Sequence, residues 1–172
     1  LWTTVNERDG LGDDVPPDYL TRVVDGAFYG WPFVYFGKYA DPTQQELNPA
    51  AVARAQQTAR VPDLALGAHS VPLGLHFYRG SAFPERYRHG AFVARRGGGG
   101  RTVFIGFDVV FIPFKDGLPA GVAEPFLSGF IADNEQAQVY GRPVGLAELP
   151  DGSLLVADDA GNTVWRVVPS AR

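Results

Sequence analysis

The chain contains no cysteine. That excludes disulfides, thiolate nucleophiles and cysteine-ligated metal centres, and it leaves the compartment undecided. Basic charge is scarce: 15 Lys and Arg against 19 Asp and Glu give a net charge of −4 and a pI of about 5.3. A nucleic-acid binder needs a basic footprint to neutralise phosphates, so no nucleic-acid partner is expected. No apolar run approaches the roughly 18 residues of a membrane-crossing helix, so no transmembrane segment is expected either. Helical sequence is rare. Only Ala50 to Arg60 has the propensity, and its apolar residues are mostly Ala, which places it in a surface excursion at about 41–62. The tetraglycine Gly97–Gly100 is followed by no Gly-Lys-Ser/Thr, so it is no phosphate loop and reads as flexible chain.

What is present points to sheets. Hydrophobic residues are 45% of 172, enough for a core, and aromatics are 13%. With 21 Gly and 14 Pro the chain has turn residues for many short strands. Two stretches repeat one phrase. Pro72-Leu73-Gly74-Leu75 leads into an alternating run that ends at Ala91-Phe92-Val93-Ala94. Pro143-Val144-Gly145-Leu146 leads through Pro150-Asp151-Gly152 to Leu154–Asp159 and then to Thr163–Val168. Repeated strand–turn–strand units are the mark of propeller blades. The reading is all-β: a partial β-propeller of about three blades over 1–172, where a closed ring typically has about four to eight. Further strands are expected at Leu1–Val5, Ser70–Tyr78, Phe107–Pro113 and Ala123–Leu127, and an irregular one at Phe28–Phe36. Asn6–Tyr19 reads as a loop. The chain opens at Leu1 with no signal-peptide pattern, which leaves a processed or truncated start.

The string Asn6-Glu7-Arg8-Asp9-Gly10-Leu11-Gly12-Asp13-Asp14, with Pro17-Asp18-Tyr19-Leu20 after it, resembles the glucose/sorbosone dehydrogenase family. So do Phe28-Tyr29-Gly30-Trp31-Pro32 and Gly141-Arg142-Pro143-Val144-Gly145. The resemblance covers nearly the whole chain but only the C-terminal half of a family member. It implies a six-bladed propeller that uses pyrroloquinoline quinone (PQQ) and calcium to oxidise sugars in the periplasm. The family's catalytic His and its PQQ-binding Arg-Asn pair fall upstream of the segment matching Leu1. Where sorbosone-type members carry a His-Gly-Ser-Trp-Asn-Arg turn, this chain has Arg95-Arg96-Gly97-Gly98-Gly99-Gly100-Arg101.

The resemblance also implies site residues. Asp14 matches an acidic calcium ligand and Tyr29 a carbonyl ligand, in a loop whose competing reading is a solvated acidic turn. Arg142 matches an arginine near the quinone carboxylates; the competing reading pairs it with Asp158 or Asp159. Arg95 or Arg96 matches a quinone-contacting lysine. Tyr39 matches a cofactor-flanking aromatic, set against a place in the core. His69 matches a position near the substrate side, yet no orienting carboxylate is evident for it. His76 and His89 read as strand and turn residues.

Three functions follow. The first is a non-catalytic accessory subunit whose bare blade faces need a protein partner or self-association. A larger periplasmic assembly, such as an electron-transfer complex at the membrane surface, is the expected host. The second is a fragment of an active PQQ-dependent sugar dehydrogenase. The third is a lectin-like binder with Trp31 as its aromatic, although Trp31 reads as core. For stability, Trp165 is expected to be buried and Trp2 to lie in a fraying end.

Overall fold

Three antiparallel sheets stand side by side in the computed structural model, which describes residues 1–169. The first holds β1 (Trp2–Val5), β2 (Asp18–Arg22) and β3 (Leu64–Gly67), in that order. The second holds β4 (Pro72–Phe77), β5 (Gly90–Arg95), β6 (Asp108–Lys115) and β7 (Glu124–Leu127). The third holds β8 (Pro143–Glu148), β9 (Leu154–Asp158) and β10 (Thr163–Val167). This is an all-β, partial β-propeller of three blades.

The packing fixes each strand's place in its blade. β8 lies against β4 and β5, the first two strands of the blade before it, and β4 lies in turn against β1. The same offset makes β1 the second strand of its blade, equivalent to β5 and β9. Among the described residues blade 1 has no innermost strand, blade 2 has all four and blade 3 has no outermost one.

Alternation along the middle blade builds two cores. Phe92, Ala94, Val109 and Phe111 face blade 3 and meet Leu154 and Val156. Val93, Val110 and Ile112 face blade 1 and meet Leu20 and Leu66. Both faces of β5 are covered, so every residue from Gly90 to Ala94 is buried. A run of Ala-Phe-Val-Ala is what a doubly covered strand demands. The first core is extended by Tyr78, Phe83 and Tyr87, with Phe92 tilted 4.4 Å from Phe126.

Several expectations are corrected. Asp18–Arg22 is a strand, not the tail of a loop; its first residue is a buried acid, which hides the strand from a hydrophobic pattern. Leu64–Gly67 is a further strand absent from the expected set. Within Phe28–Phe36 only Val34–Tyr35 pairs, with Tyr39–Ala40. Two helices, α1 (Pro42–Leu47) and α2 (Pro49–Thr58), follow it. Asp41 caps α1 by accepting from the Gln44 N–H at 3.0 Å, and α2 buries Val52 and Ala55 against Val34. The two tryptophans exchange roles. Trp165 is 47% exposed, whereas Trp2 packs edge-on to Phe114 at 5.0 Å and against Phe77 at 6.4 Å. Trp165 pairs with Val156 on a strand that has no further neighbour among the described residues, so its face is only half covered.

Candidate functional site

The second strands of the three blades all run toward one end of the molecule. There β1 delivers the acidic loop, β5 the Arg95–Arg101 turn and β9 the Asp158-Asp159 turn. Cross-blade hydrogen bonds tie these loops together.

Asp18, at the start of β2, is the buried anchor. One carboxylate oxygen accepts from the Glu7 N–H at 2.8 Å. The other accepts from the Ser70 hydroxyl at 3.1 Å and the Val71 N–H at 2.7 Å. Burial pushes its pKa up, and these donors only partly offset that. Burial raises Glu7 as well.

His69 has the orienting carboxylate that the sequence does not reveal. Its Nδ1 lies 2.7 Å from Asp9 Oδ1 and its Nε2 lies 2.8 Å from the Gly12 carbonyl. The ring is 3% exposed and the backbone is left-handed, with φ 62°. Both ring nitrogens therefore face protein oxygens, and the buried ring turns neither toward solvent.

The tetraglycine is packed rather than loose. Gly97 and Gly98 donate to the Ser70 and His69 carbonyls at 2.9 and 3.0 Å. A side chain on Gly97 would strike the Phe107 ring, and one on Gly100 would strike the His69 ring. The expected flexibility fails because glycine here permits close backbone approach as well as freedom.

The expected site residues divide into two sets. Arg96 and Arg142 meet at the Asp158-Asp159 turn. Arg96 pairs with Asp159 at 2.8 Å. Arg142 gives its backbone N–H to Asp158 at 2.7 Å, while its guanidinium lies 5.5 Å from the Phe107 ring centre. Among the described residues that guanidinium has no carboxylate partner. Asp158 is itself saturated. Burial opposes its charge, but the N–H groups of Arg142 and Gly161, the Trp165 indole and the Ala160 N–H hold its pKa below the ordinary range. Arg95 is structural: it pairs twice with Asp108, at 2.8 and 2.6 Å, and donates to the Leu66 carbonyl at 3.0 Å.

Asp14, Tyr29 and Tyr39 lie in separate settings. Asp14 pairs with Arg101 at 2.9 Å. The Tyr29 hydroxyl donates to the Arg22 carbonyl, at the far end of β2 from Asp18. Tyr39 is 49% exposed and stacks on Tyr35 at 5.5 Å, with Lys38 over it at 5.2 Å. The acidic loop's oxygens already have partners: Arg101 reaches the Asp13 carbonyl, the Thr102 N–H reaches the Asp13 carboxylate at 3.0 Å, and His69 takes Gly12. As arranged, the loop does not fit calcium, because a guanidinium stands where the ion's charge would be needed. Among the described residues no three His, Cys, Asp or Glu side chains form a metal-binding group. Arg142, cationic and unpaired beside an aromatic ring, does suit a planar ligand bearing carboxylates.

At the opposite end, His76 bridges blades 2 and 3 through Glu148 at 2.9 Å. Trp31 is 62% exposed, not core. It borders a shallow pocket with Glu7 and Tyr19.

Comparison with known proteins agrees with the architecture. Residues 37–170 match the TrAA12-like family. An uncharacterized protein of Borreliella burgdorferi is 34% identical over 171 residues, covering 97% of this chain and 43% of that one. The calcium structure of the Trichoderma reesei family AA12 carbohydrate-active enzyme superposes with a TM-score of 0.73 at 20% identity, over 95% of this chain and 47% of that one. The holo form of the pyranose dehydrogenase PQQ domain from Coprinopsis cinerea gives 0.72 at 19%, over 95% and 48%. The apo form of the soluble aldose sugar dehydrogenase of Escherichia coli gives 0.53 at 18%, over 92% and 38%. The chain therefore spans about half the length of the proteins it matches, and it shares their fold over that half.

Proposed function

The chain belongs to the TrAA12-like family, and on that premise we propose that it is a half-propeller of the PQQ-dependent sugar dehydrogenase type, structural and non-catalytic by itself. It serves as an accessory part of a larger assembly that supplies the remaining blades. One observation carries this reading: both ring nitrogens of His69, the histidine at the loop end of the blades, face protein oxygens, so among the described residues that end offers no free histidine base. The chemistry agrees. Oxidising a sugar hydroxyl requires a base, worth about 10²–10⁴ in rate. His69 turns neither nitrogen toward solvent, and His76 is paired at the wrong end. Family-level PQQ and calcium belong to the assembled site. When bound, the quinone supplies the oxidising power, and the role proposed for this chain's Arg142 is to hold one of its carboxylates, with the neighbouring Arg96 as a flanking contact; Tyr39, set apart from both, is given no part. Calcium through Asp14 and the Tyr29 carbonyl requires Arg101 to release Asp14. A periplasmic place, with an electron-transfer complex at the membrane surface as host, completes the proposal. No helix among the described residues is long and apolar enough to cross a membrane.

A second reading, a fragment of an active dehydrogenase, is favoured by the guanidinium of Arg142, which has no carboxylate partner among the described residues. Dye reduction separates the two. The isolated chain, given PQQ, calcium and glucose or sorbosone, is expected to show no turnover. Turnover within tenfold of a full-length relative would establish the enzyme reading instead. The intact mass of the purified chain, with whatever accompanies it, identifies the partner.

A further inference from the structure

We propose that Arg101 is the resident cation of the acidic loop. Its guanidinium occupies the place that the family resemblance gives to calcium, and the loop holds its shape without metal, whether or not the chain is catalytic.

The loop offers what a hard cation seeks. Within Asp9–Asp14 stand three carboxylates and the carbonyls of Gly12 and Asp13. Each is met by a donor of the protein itself. Arg101 donates to the Asp13 carbonyl and pairs with Asp14 Oδ1 at 2.9 Å. The Thr102 N–H meets the Asp13 carboxylate at 3.0 Å. His69 lies against Asp9 and the Gly12 carbonyl. Hydrogen bonds from Thr102, and then the nearby charge of Arg101, hold the Asp13 carboxyl below the ordinary range. Arg8, the loop's other cation, gives its Nε–H to the Asp9 carbonyl and turns its charge to Asp41 at 2.6 Å. The cation at Asp14 is therefore Arg101.

Its side chain is only 19% exposed, and its buried Nε has no acceptor among the described residues. A loose surface arginine keeps its N–H groups in water. One that leaves a donor unmet to stay buried is held there by its other contacts. The tetraglycine brings it to that place. Gly98 donates to the His69 carbonyl at 3.0 Å, and a side chain on Gly100 would strike the His69 ring and crowd Asp9. Only bare backbone passes so close, and it carries Arg101 to a loop 88 residues away in sequence. A guanidinium fork satisfies two oxygens along fixed N–H directions, whereas calcium draws about six to eight oxygens around one point. The two occupants exclude each other. Asp14 is 82% exposed, so ions from solvent reach it once the guanidinium is gone.

Thermal melting and calcium titration calorimetry of the whole chain test this. The native chain is expected to melt at the same temperature in chelator and in about 1 mM calcium. Arg101→Gln removes the charge and keeps most of the bulk. It is expected to melt lower in chelator, to regain much of the loss in calcium, and to bind the ion about tenfold or more tighter than the native chain. Magnesium, which demands a tighter octahedral shell, is expected not to replace calcium. Adding Asp14→Ala to Arg101→Gln is expected to abolish the recovery. Arg101→Lys keeps a cation and is expected to stay insensitive to calcium. Stabilisation of the native chain by calcium overturns the proposal. So does an Arg101→Gln chain that folds and takes up no calcium, or one whose calcium survives Asp14→Ala, which would put the ion elsewhere. Should Arg101→Gln fail to fold in chelator, folding restored by calcium supports the proposal and folding not restored overturns it.

Discussion

The second strand of the middle blade and the third strand of the last blade read alike and live differently. Gly90–Arg95 and Thr163–Val167 are both short strands with an aromatic, a valine and one arginine, yet the first is buried from Gly90 to Ala94 and the second is exposed except at Val167. Their own residues make only part of that difference: the unbroken Ala91–Ala94 run suits a strand covered on both faces, whereas the pattern of Thr163–Val167 does not tell whether anything lies against it. β5 has a strand on each side and a blade on each face, whereas β10 has one strand and part of one face. In a stacked fold, burial is a property of neighbours, and each blade takes its stability from the blades beside it.

The sharpest way to break that comparison is at Phe92. Phe92→Ala empties the core between blades 2 and 3 and is expected to cost about 3–5 kcal/mol in urea unfolding. A loss below 1 kcal/mol would mean that the inter-blade core does not hold the stack. Inside the tetraglycine, Gly97→Ala forces a side chain into Phe107 at φ 74°. Backbone strain alone is expected to cost about 1–3 kcal/mol. Gly99→Ala, with nothing near it, is expected to stay within about 0.5 kcal/mol. Equal effects would return the turn to the flexible class.

The tryptophans sharpen the contrast between ends. Trp2→Ala removes contacts with Phe77 and Phe114 and is expected to lower stability by about 1–3 kcal/mol. Trp165→Ala removes a half-exposed ring and one hydrogen bond, about 1 kcal/mol or less. Reversed melting shifts would show blade 3 to be better packed than its exposure indicates. Acid titration separates the two buried aspartates. Asp158 has a lowered pKa, so its stabilising contribution is present above the ordinary carboxylate value and is lost as pH falls through the lowered one. Asp18 has a raised pKa, so its contribution is present at low pH and is lost as pH rises through the raised value. Asp158→Asn is therefore expected to flatten the acid side of the urea midpoint curve. An unchanged acid limb would take Asp158 out of the linkage. The smallest effect concerns calcium: with Arg101 paired to Asp14, the native chain and Asp14→Ala are expected to hold equally little calcium in metal analysis, and clearly more in the native chain would overturn the misfit.

Much of the blade pattern was legible because it is local. Pro72–Leu75 and Pro143–Leu146 announce inner strands by alternation alone, and Ala91–Ala94 announces a strand covered on both sides. The site was less legible because its partners are distant in sequence. Asp9 reaches His69 across 60 residues and Asp13 meets Thr102 across 89, spacings that no motif records. Asp18 hid β2 because a buried acid looks, in a sequence, like a loop. Trp165 misled because an alternating pattern tells which face a residue takes and not whether anything lies against that face.

Asp18 and Asp158 also set how the molecule opens. Asp18 gathers donors from Glu7, Ser70 and Val71, so blade 1 cannot loosen without releasing the entry to blade 2. The donors to Asp158 come from Arg142, Ala160, Gly161 and Trp165, all inside blade 3. One carboxylate sews two repeats into a single cooperative unit, while the other closes a repeat upon itself. Native-state hydrogen exchange should accordingly find two foldons, with amides of 143–167 exchanging through a partial opening while those of β2 and β5 wait for the whole chain to unfold.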